Sequence, residues 1–411
     1  MNTIKDKALH WANTFSVCAF FDSNQYPDSF GKFDSLIAAG ASHTLSAKAG
    51  DAFSQLRSFY DKHKNWVFGL LAYDLKNETE ALESRHTDLF EFADLFFFVP
   101  QYLISIQGNK INVLIGDDSI IATIEATHVP AATQPSPPIQ PRFDRENYIS
   151  TVMALQEHIK RGDIYEINLC QEFYAEHTVV RPVDLYRRLN QLSPTPFSGF
   201  FRAVDHYVIS ASPERFLCKR GKKILSQPIK GTAKRSTDPE EDLNIQSQLK
   251  SSLKEQAENV MIVDLVRNDL TKSAKKGTVQ VDELYGAYRF PQVHQLISTV
   301  SCELSDEVHI VDAIKNTFPA GSMTGAPKIR AMQLIDQYER SRRGLYSGAM
   351  GYIDPNADFD FNVIIRSIVY NTESAYLSFQ VGGAITYLSD AHQEYEECLL
   401  KASAIIAALN G

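Results

Sequence analysis

The stretch Ser226-Gln227-Pro228-Ile229-Lys230-Gly231-Thr232 follows an apparent β-hairpin, and the rest of the chain is organised around it. The hairpin is predicted because apolar runs flank the basic turn Lys219-Arg220-Gly221-Lys222. Pro228 and Gly231 interrupt the strand pattern, so Lys230 is predicted to lie on a constrained bend. A solvated lysine beside a turn is the alternative interpretation, since most lysines are exposed.

The composition is that of a globular protein with a sizeable core. Of 411 residues, 44% are hydrophobic and 22% are charged. This length predicts two or three average domains, or one large α/β domain with a smaller partner. The formal net charge is −9 and the basic clusters are short, so no nucleic-acid partner is predicted. An acidic protein that binds an anion must do so at a local site.

Cysteine usage and the apolar segments predict a cytoplasmic protein. The five cysteines are scattered and never spaced as Cys-x-x-Cys, which favours a reducing compartment and argues against a zinc site. The apolar run from Phe15 to Phe21 is too short for a signal sequence. No apolar stretch reaches transmembrane length, so no membrane partner is expected.

Composition divides the chain into three regions. Residues 129–142 contain five prolines and are predicted to form an extended Pro-rich linker. Residues 1–128 hold apolar, β-rich runs with a hairpin turn at Gly108-Asn109, which predict an antiparallel sheet. Residues 143–411 alternate helical and strand patterns, with Asp144 as the predicted cap of the first helix, and predict a mixed α/β region.

Two predicted helices of the last region carry pairs of glutamates. Glu255 and Glu258 lie three residues apart and share a helix face, and Glu394, Glu397 and Lys401 repeat this pattern on the final helix. Acidic helix faces usually contact only water. Oxygen ligands without histidine or cysteine nevertheless suit Mg²⁺, which binds one or two carboxylates and keeps waters for its substrate. The hypothesis is a Mg²⁺ ion that bridges Glu258, Glu397 and an anionic substrate.

Gly-rich and cationic features supply candidate contacts for such an anion. Gly321 to Pro327 predicts a loop that leads into a helix N-terminus, either an anion site or a plain connection. Gly382-Gly383 is predicted to end an apolar strand, where either a ligand or a β-bulge explains the glycines. Arg366 lies within the predicted apolar strand Phe361–Val369, where its charge needs a substrate carboxylate or an internal ion pair.

Glu214 begins the hairpin that leads to Lys230. Hairpin geometry can bring the two side chains together as an acid and a nucleophile, although a surface glutamate is the alternative. A nucleophilic lysine needs a lowered pKa, and either desolvation or neighbouring cations can provide it. These candidate cations are Lys222, Lys223, Lys234 and Arg235.

Taken together, these motifs resemble those of the chorismate-utilising enzymes. The matching stretches follow the family's order over residues 143–408. They are Gly162-Asp163-Ile164-Tyr165, Ser212 to Phe216, Pro228 to Thr232, Glu258 to Asp269, Gly321 to Lys328 and Glu394 to Glu397. Residues 68–75 carry a fainter resemblance. The resemblance implies an α/β (α+β) fold, a large two-sheet sandwich with helices packed outside, in which residues 143–411 bind chorismate.

The resemblance also implies roles for individual residues. Glu258 and Glu397 match Mg²⁺ ligands, and Glu255 and Glu394 match supporting carboxylates that act through water. Glu214 matches the general acid at the departing C4 hydroxyl of chorismate. The positions that match substrate contacts are Thr232, Tyr346, Arg366, Gly382, Gly383 and Lys401.

Lys230 decides the branch of the family that the chain resembles. Lysine in Pro-Ile-Lys-Gly-Thr is typical of enzymes that aminate chorismate at C4 on the way to p-aminobenzoate and folate, whereas anthranilate-forming enzymes resemble Pro-Ile-Ala-Gly-Thr. The chain is therefore expected to use Lys230 as a covalent nucleophile. No cysteine lies in a Gly-x-Cys-x-Gly glutaminase motif, so ammonia is expected from a separate glutamine amidotransferase subunit. The alternatives are an anthranilate-forming enzyme and a catalytically silent regulator that binds chorismate or an amino acid.

Three residues depart from the family pattern. Glu166 stands where glutamine is commoner, Ala384 where a further glycine is usual, and Cys398 where threonine is usual. Isochorismate-forming relatives carry a base lysine at the position of Glu166, so activation of water is not expected. The region before the linker is short for the family, so the resemblance does not decide whether tryptophan binds as a ligand near Asp22-Ser23-Asn24.

Overall fold

Helices and strands alternate along the chain. The computed structural model describes residues 3–132, 136–290 and 293–410. The helices are α1 (Ile4–Ala12), α2 (Ala52–His63), α3 (Lys76–Thr79), α4 (Ser119–Ala126), α5 (Arg145–Lys160), α6 (Pro182–Leu192), α7 (Pro239–Ser251), α8 (Leu253–Thr271), α9 (Ile310–Thr317), α10 (Lys328–Tyr338) and α11 (Ala391–Asn410). Short 3-10 turns occur at Tyr73–Leu75 and Gly321–Met323.

The strands are antiparallel wherever they pair. They are β1 (Val17–Asp22), β2 (Ser35–Ala47), β3 (Val67–Leu71), β4 (Leu95–Gln107), β5 (Lys110–Ile115), β6 (Gln140–Pro141), β7 (Glu166–Ala175), β8 (Phe197–Ala203), β9 (His206–Ser212), β10 (Arg215–Arg220), β11 (Lys223–Gln227), β12 (Ile229–Lys234), β13 (Gln280–Arg289), β14 (Val293–Glu303), β15 (Gly325–Ala326), β16 (Ala349–Ile353), β17 (Phe359–Val363), β18 (Ser367–Asn371) and β19 (Tyr376–Ile385).

These strands form one continuous hydrogen-bonded series. From one end, the order is β6, β7, β19, β18, β9, β8, β1, β2, β4, β3, β16, β17, β10, β11, β14 and β13. β5 pairs with β4, β12 with β14, and β15 with β7. Helices pack against both halves of this strand series, and the candidate active site lies next to two of them, α8 and α11.

The long strands β2 and β4 pass from one half of the sheet to the other. Early in β4, Phe97 belongs to the core that contains buried residues of α2, α8 and α9. Phe98 points to the other face of the strand, because successive strand side chains alternate, and belongs to a core formed with β1, β3 and β8. Later in β4, Ile104 and Ile106 belong to the core that also contains buried residues of α1, α4, α5, α6 and α11. The predicted two-sheet sandwich with helices outside is therefore confirmed, and its two sheets are joined into one.

Local sequence signals place several elements as predicted. Asp144 caps α5 by accepting a hydrogen bond from the backbone N–H of Asn147 at 2.7 Å. Gly108 adopts a φ of +59° in the hairpin turn between β4 and β5. Two predictions were wrong in detail: the apolar run Phe361–Val369 is split between β17 and β18, and Gly382-Gly383 lies inside β19.

The three predicted regions are linked by strand pairing. β1 pairs with β8 and β3 with β16, so strands from residues 1–128 are hydrogen-bonded to strands from beyond residue 142. Pro135 of the predicted linker lies outside the described residues, as do residues 1, 2, 133, 134, 291, 292 and 411. The division into regions stays a prediction. Among the helices described, none has the length and apolar character needed to cross a membrane.

Candidate active site

One cavity of about 160 Å³ is lined by every residue predicted for the site. These residues are Glu214, Lys230, Thr232, Glu255, Glu258, Tyr346, Arg366, Gly382, Gly383, Glu394, Glu397 and Lys401. The segment just before β10, strand β12, helices α8 and α11, and strand β19 all contribute to the wall. The fold thus brings together positions that are far apart in sequence, while the chemical roles assigned to them stay predictions.

Lys230 lies on β12 and is held from several sides. Its Nζ donates to Glu166 Oε1 at 2.5 Å, and Asn259 Nδ2 donates to its backbone carbonyl at 3.0 Å. Gly231 adopts a φ of +86°, and a Cβ there would lie 2.7 Å from Glu255 Oε2. Only glycine fits such a bend without strain, so the constrained position predicted for Lys230 is observed.

The charged surroundings of Lys230 differ from the prediction. Burial lowers the pKa of Lys230, but the carboxylates of Glu166, Glu258 and Glu214 outweigh it, so the pKa is raised. The prediction that neighbouring cations lower this pKa was wrong. Three of those cations pair with other acids: Lys222 with Asp306, Lys223 with Asp282, and Arg235 with Asp242. Lys234 is exposed.

Glu214 is buried immediately before β10 and is suited to hold a proton. Ser322 Oγ donates to Glu214 Oε1 at 2.5 Å. Burial raises the pKa of Glu214 to about 7, although the hydrogen bond from Ser322 and the charge of Lys230 oppose the rise. A carboxyl group in such surroundings can act as a general acid near neutral pH.

Four glutamates face the cavity from two helices. Glu255 and Glu258 project from α8, and Glu394 and Glu397 project from α11. Burial raises the pKa of Glu258 to about 7 and also raises the pKa values of Glu255 and Glu394. The charge of Lys401, whose Nζ lies 2.8 Å from Glu397 Oε1, lowers the pKa of Glu397.

The glutamate cluster fits a hard divalent cation. Glu258 Oε1 is buried and has no hydrogen-bond partner among the described residues. Within the same residues, no three acidic, histidine or cysteine side chains are arranged to enclose a metal by themselves. Mg²⁺ does not need such a cage, because it commonly takes one or two carboxylates and completes its octahedron with waters and substrate oxygens. The residues present therefore fit Mg²⁺ held by Glu258 and Glu397.

Arg366 adopts a left-handed conformation between β17 and β18, with a φ of +49°. The sequence pattern left two alternatives for the partner of its charge, an internal ion pair or a substrate carboxylate. In the part of the chain that the structure describes, no acidic side chain lies within ion-pair distance of its guanidinium. Arg366 lines the cavity, so its charge is available to a ligand there.

Sequence reasoning missed several polar groups of the cavity. Ser322 lies in the Gly-rich loop, whose pattern predicted an anion site made of backbone N–H groups and gave no signal for the hydroxyl. Lys254 Nζ lies 3.9 Å from Glu258 Oε1 and 3.6 Å from Glu394 Oε1, so it sits between the two acidic pairs. The available sequence signal for Lys254 was its position directly before Glu255, one of the predicted site residues. Gln380 also lines the wall and carries no signal in the sequence.

A second cavity lies near the stretch considered for tryptophan. It has a volume of about 420 Å³, and Asp22 and Ser23 are part of its wall. Arg215 also lines it, donating to Asp28 at 3.2 Å and to Asp360 at 2.9 Å.

The fold is that of enzymes that use chorismate. The structure superposes on the crystal structure of anthranilate synthase component I from Streptococcus pneumoniae TIGR4 with a TM-score of 0.80. The two sequences are 27% identical, and the match covers 93% of this chain and 94% of the other.

Sequence comparison gives the family. The chorismate binding enzyme family matches residues 17–407, and the chain belongs to it. The chain is 36% identical to aminodeoxychorismate synthase component 1 of Klebsiella aerogenes, over 84% of this chain and 77% of that protein. It is 41% identical to aminodeoxychorismate synthase of Streptomyces griseus over 66% of this chain. The chain spans only 38% of the Streptomyces protein's length.

Proposed function

We propose that this protein aminates chorismate at C4, forming 4-amino-4-deoxychorismate in the cytoplasm on the way to p-aminobenzoate and folate. The observation that carries the proposal is a buried lysine, Lys230, in the same cavity as Glu214, a carboxyl group with a pKa raised to about 7. The relatives named aminodeoxychorismate synthase support the same reaction.

The cavity offers cationic and backbone groups for the substrate's two carboxylates. Arg366 has no acidic partner among the described residues and can bind a carboxylate in a bidentate manner. Lys401 Nζ donates to the carbonyl of Gly382 at 2.9 Å, which fixes the strand that borders the substrate. Gly383 leaves the backbone open, and Tyr346 and Thr232 complete the proposed contacts.

Mg²⁺, when bound by Glu258 and Glu397 with Glu255 and Glu394 acting through water, supplies positive charge that offsets the negative charge of substrate and cavity. The four carboxylates that would hold the ion all lie on α8 and α11. Lys254 balances part of their charge, since its Nζ lies 3.6 Å from Glu394 Oε1.

The proposed reaction has two displacements. The neutral amine of Lys230 forms a bond to C2 of chorismate, the ring double bonds shift, and the C4 hydroxyl leaves as water with the proton of Glu214. Ammonia then forms a bond to C4, the double bonds shift back, and the lysine amine leaves C2. The product ammonium at C4 can return a proton to Glu214. The sum is chorismate plus ammonia giving 4-amino-4-deoxychorismate plus water.

Product identification tests the proposal directly. The purified chain is incubated with chorismate, Mg²⁺ and an ammonium salt, and the products are separated and identified by mass. We expect 4-amino-4-deoxychorismate. Anthranilate as the product would instead place the chain in the anthranilate-forming branch, and chorismate binding without turnover would make it a regulator.

The raised pKa of Glu214 predicts a loss of rate in alkaline solution. The protonated carboxyl is the active form, so lysine adduct formation should fall as pH rises through about 7. The adduct is measured by intact-protein mass spectrometry without ammonia, so that the ionisation of ammonium does not affect the profile. Glu214→Gln should react far more slowly at every pH. If its residual rate still declines in alkaline solution as the wild-type rate does, the decline belongs to another group.

The source of ammonia gives another prediction. All five cysteines are free and buried, so none is exposed as a glutaminase nucleophile. The purified chain should therefore use ammonium salts and not glutamine, until a separate glutamine amidotransferase subunit is added. Glutamine-dependent amination by the chain alone would contradict this prediction.

A further inference from the structure

The ion pair between Lys230 and Glu166 lies at the reacting nitrogen. Glu166 is the first residue of β7 and is 1% exposed. Its Oε1 accepts the hydrogen bond from Lys230 Nζ at 2.5 Å, while its Oε2 is buried with no hydrogen-bond partner among the described residues. β15 holds its backbone in place, since Ala326 pairs with Glu166. The carboxylate is thus fixed against the amine with a free oxygen.

Stability alone is a weak reason for such a pair. Two charges lose their hydration when they are buried, and their mutual attraction often does no more than offset that loss. The pair also opposes the proposed chemistry, because a protonated lysine has no lone pair with which to attack C2. The nucleophile must therefore pass its proton to some group before it reacts.

Glu166 is the acidic residue best placed to take that proton. In the described ranges, it alone among acidic side chains lies within 4.0 Å of Lys230 Nζ. The other acids that face Lys230 are Glu214 before β10, Glu255 and Glu258 on α8, and Glu397 on α11. Glu214 has to donate a proton in the same step, and the three glutamates on α8 and α11 belong to the proposed metal site.

We propose that Glu166 is the catalytic base that takes the proton from Lys230 and later returns it. The inference rests on the proposed function and deepens it. In the first step, a proton moves from Lys230 Nζ to Glu166, and the neutral amine forms the bond to C2 while water leaves C4. In the second step, ammonia expels the amine from C2, and the proton on Glu166 returns to Nζ. The pair is restored, and no other proton acceptor is needed at the lysine.

Substrate binding favours this transfer. Chorismate excludes water from the cavity, and loss of water disfavours both the ammonium and the carboxylate form. Moving one proton across the hydrogen bond converts two buried charges into two neutral groups. Desolvation thus activates the lysine without the neighbouring cations that the sequence suggested.

The experiment compares adduct formation in the wild-type chain and in Glu166→Gln over a range of pH. The glutamine keeps a hydrogen-bond acceptor for Lys230 but cannot take the proton. Both proteins are mixed with chorismate and Mg²⁺ without ammonia, quenched at intervals and analysed by intact-protein mass spectrometry. Chorismate affinity and thermal unfolding are measured alongside.

Below about pH 7, where Glu214 is protonated, the wild-type rate should be independent of pH. In Glu166→Gln, Lys230 must release its proton to solvent, so the rate should be about 10²-fold lower at neutral pH. It should also rise about tenfold per pH unit on the acid side. Glu166→Asp, which restores a carboxylate, should recover the flat profile even if its rate is lower.

Glu172 provides the matched control on the same strand. It is buried on β7 and pairs with Arg142 at 3.0 Å, outside the cavity. Glu172→Gln should lower stability but leave the pH profile of adduct formation unchanged.

Two results would overturn the proposal in different ways. A Glu166→Gln variant that follows the wild-type pH profile, even at a uniformly lower rate, makes Glu166 a positioning residue only. Absence of any adduct in the wild-type chain removes the nucleophilic role of Lys230, and with it both the proposed mechanism and the base.

Discussion

Lys230→Ala should lower formation of 4-amino-4-deoxychorismate by roughly 10³-fold or more, the scale on which enzymes lose rate when a covalent nucleophile is removed. The variant has no amine to form the bond at C2, while Glu214 and the substrate contacts remain. A slow direct addition of ammonia at C2 is the expected residual reaction. In the unmutated chain, chorismate and Mg²⁺ without ammonia should give an adduct that peptide mapping assigns to Lys230.

The control for Lys230→Ala is a second buried lysine. Lys328 Nζ pairs with Asp269 at 2.7 Å, and Lys328 does not line the cavity. Lys328→Met breaks a comparable pair and should cost about 3–5 kcal/mol of unfolding free energy while adduct formation per folded molecule is retained. If Lys230→Ala keeps the wild-type product and rate, and no adduct forms, Lys230 only positions the substrate and the proposed branch of the family loses its main support.

Glu258→Gln and Glu397→Gln should each abolish turnover while the fold stays intact. Each change removes one carboxylate charge from the proposed Mg²⁺ site and keeps the shape of the side chain. Burial raises the pKa of Glu258, so Glu258→Gln removes an unfavourable charge and thermal stability without metal should not fall. Glu397→Gln also loses the ion pair with Lys401, so its thermal stability should fall slightly. Activity is measured against Mg²⁺ concentration, and Mg²⁺ binding is measured separately by calorimetry.

Glu396→Gln is the matched control for the metal site. Glu396 lies next to Glu397 on α11, but its side chain is exposed and accepts a hydrogen bond from Arg145 at 3.1 Å. This variant should keep wild-type activity and Mg²⁺ dependence. Full activity in either Glu258→Gln or Glu397→Gln would remove the proposed metal site.

Short sequence patterns were enough to predict local elements, and the resemblance to chorismate-utilising enzymes selected residues that line one cavity. Caps such as Asp144 and turns such as Gly108-Asn109 depend on residues a few positions apart, so their signals are complete within a short window. The motifs around Lys230, Glu258 and Glu397 were enough to select residues that the fold brings to one cavity. The mixed fold class followed from the same patterns.

The interactions among those residues depend on long-range contacts, which the sequence patterns did not predict. Glu166 and Lys230 are far apart in sequence, and nothing near either one predicts their ion pair. The prediction that neighbouring cations lower the pKa of Lys230 failed because charge depends on the assembled surroundings, where carboxylates rather than cations face the amine. Arg366 was assigned to a strand interior because a run of apolar residues carries no signal for a break within it. Its exposure to the cavity depends on the separate partners of β17 and β18, which long-range pairing alone determines.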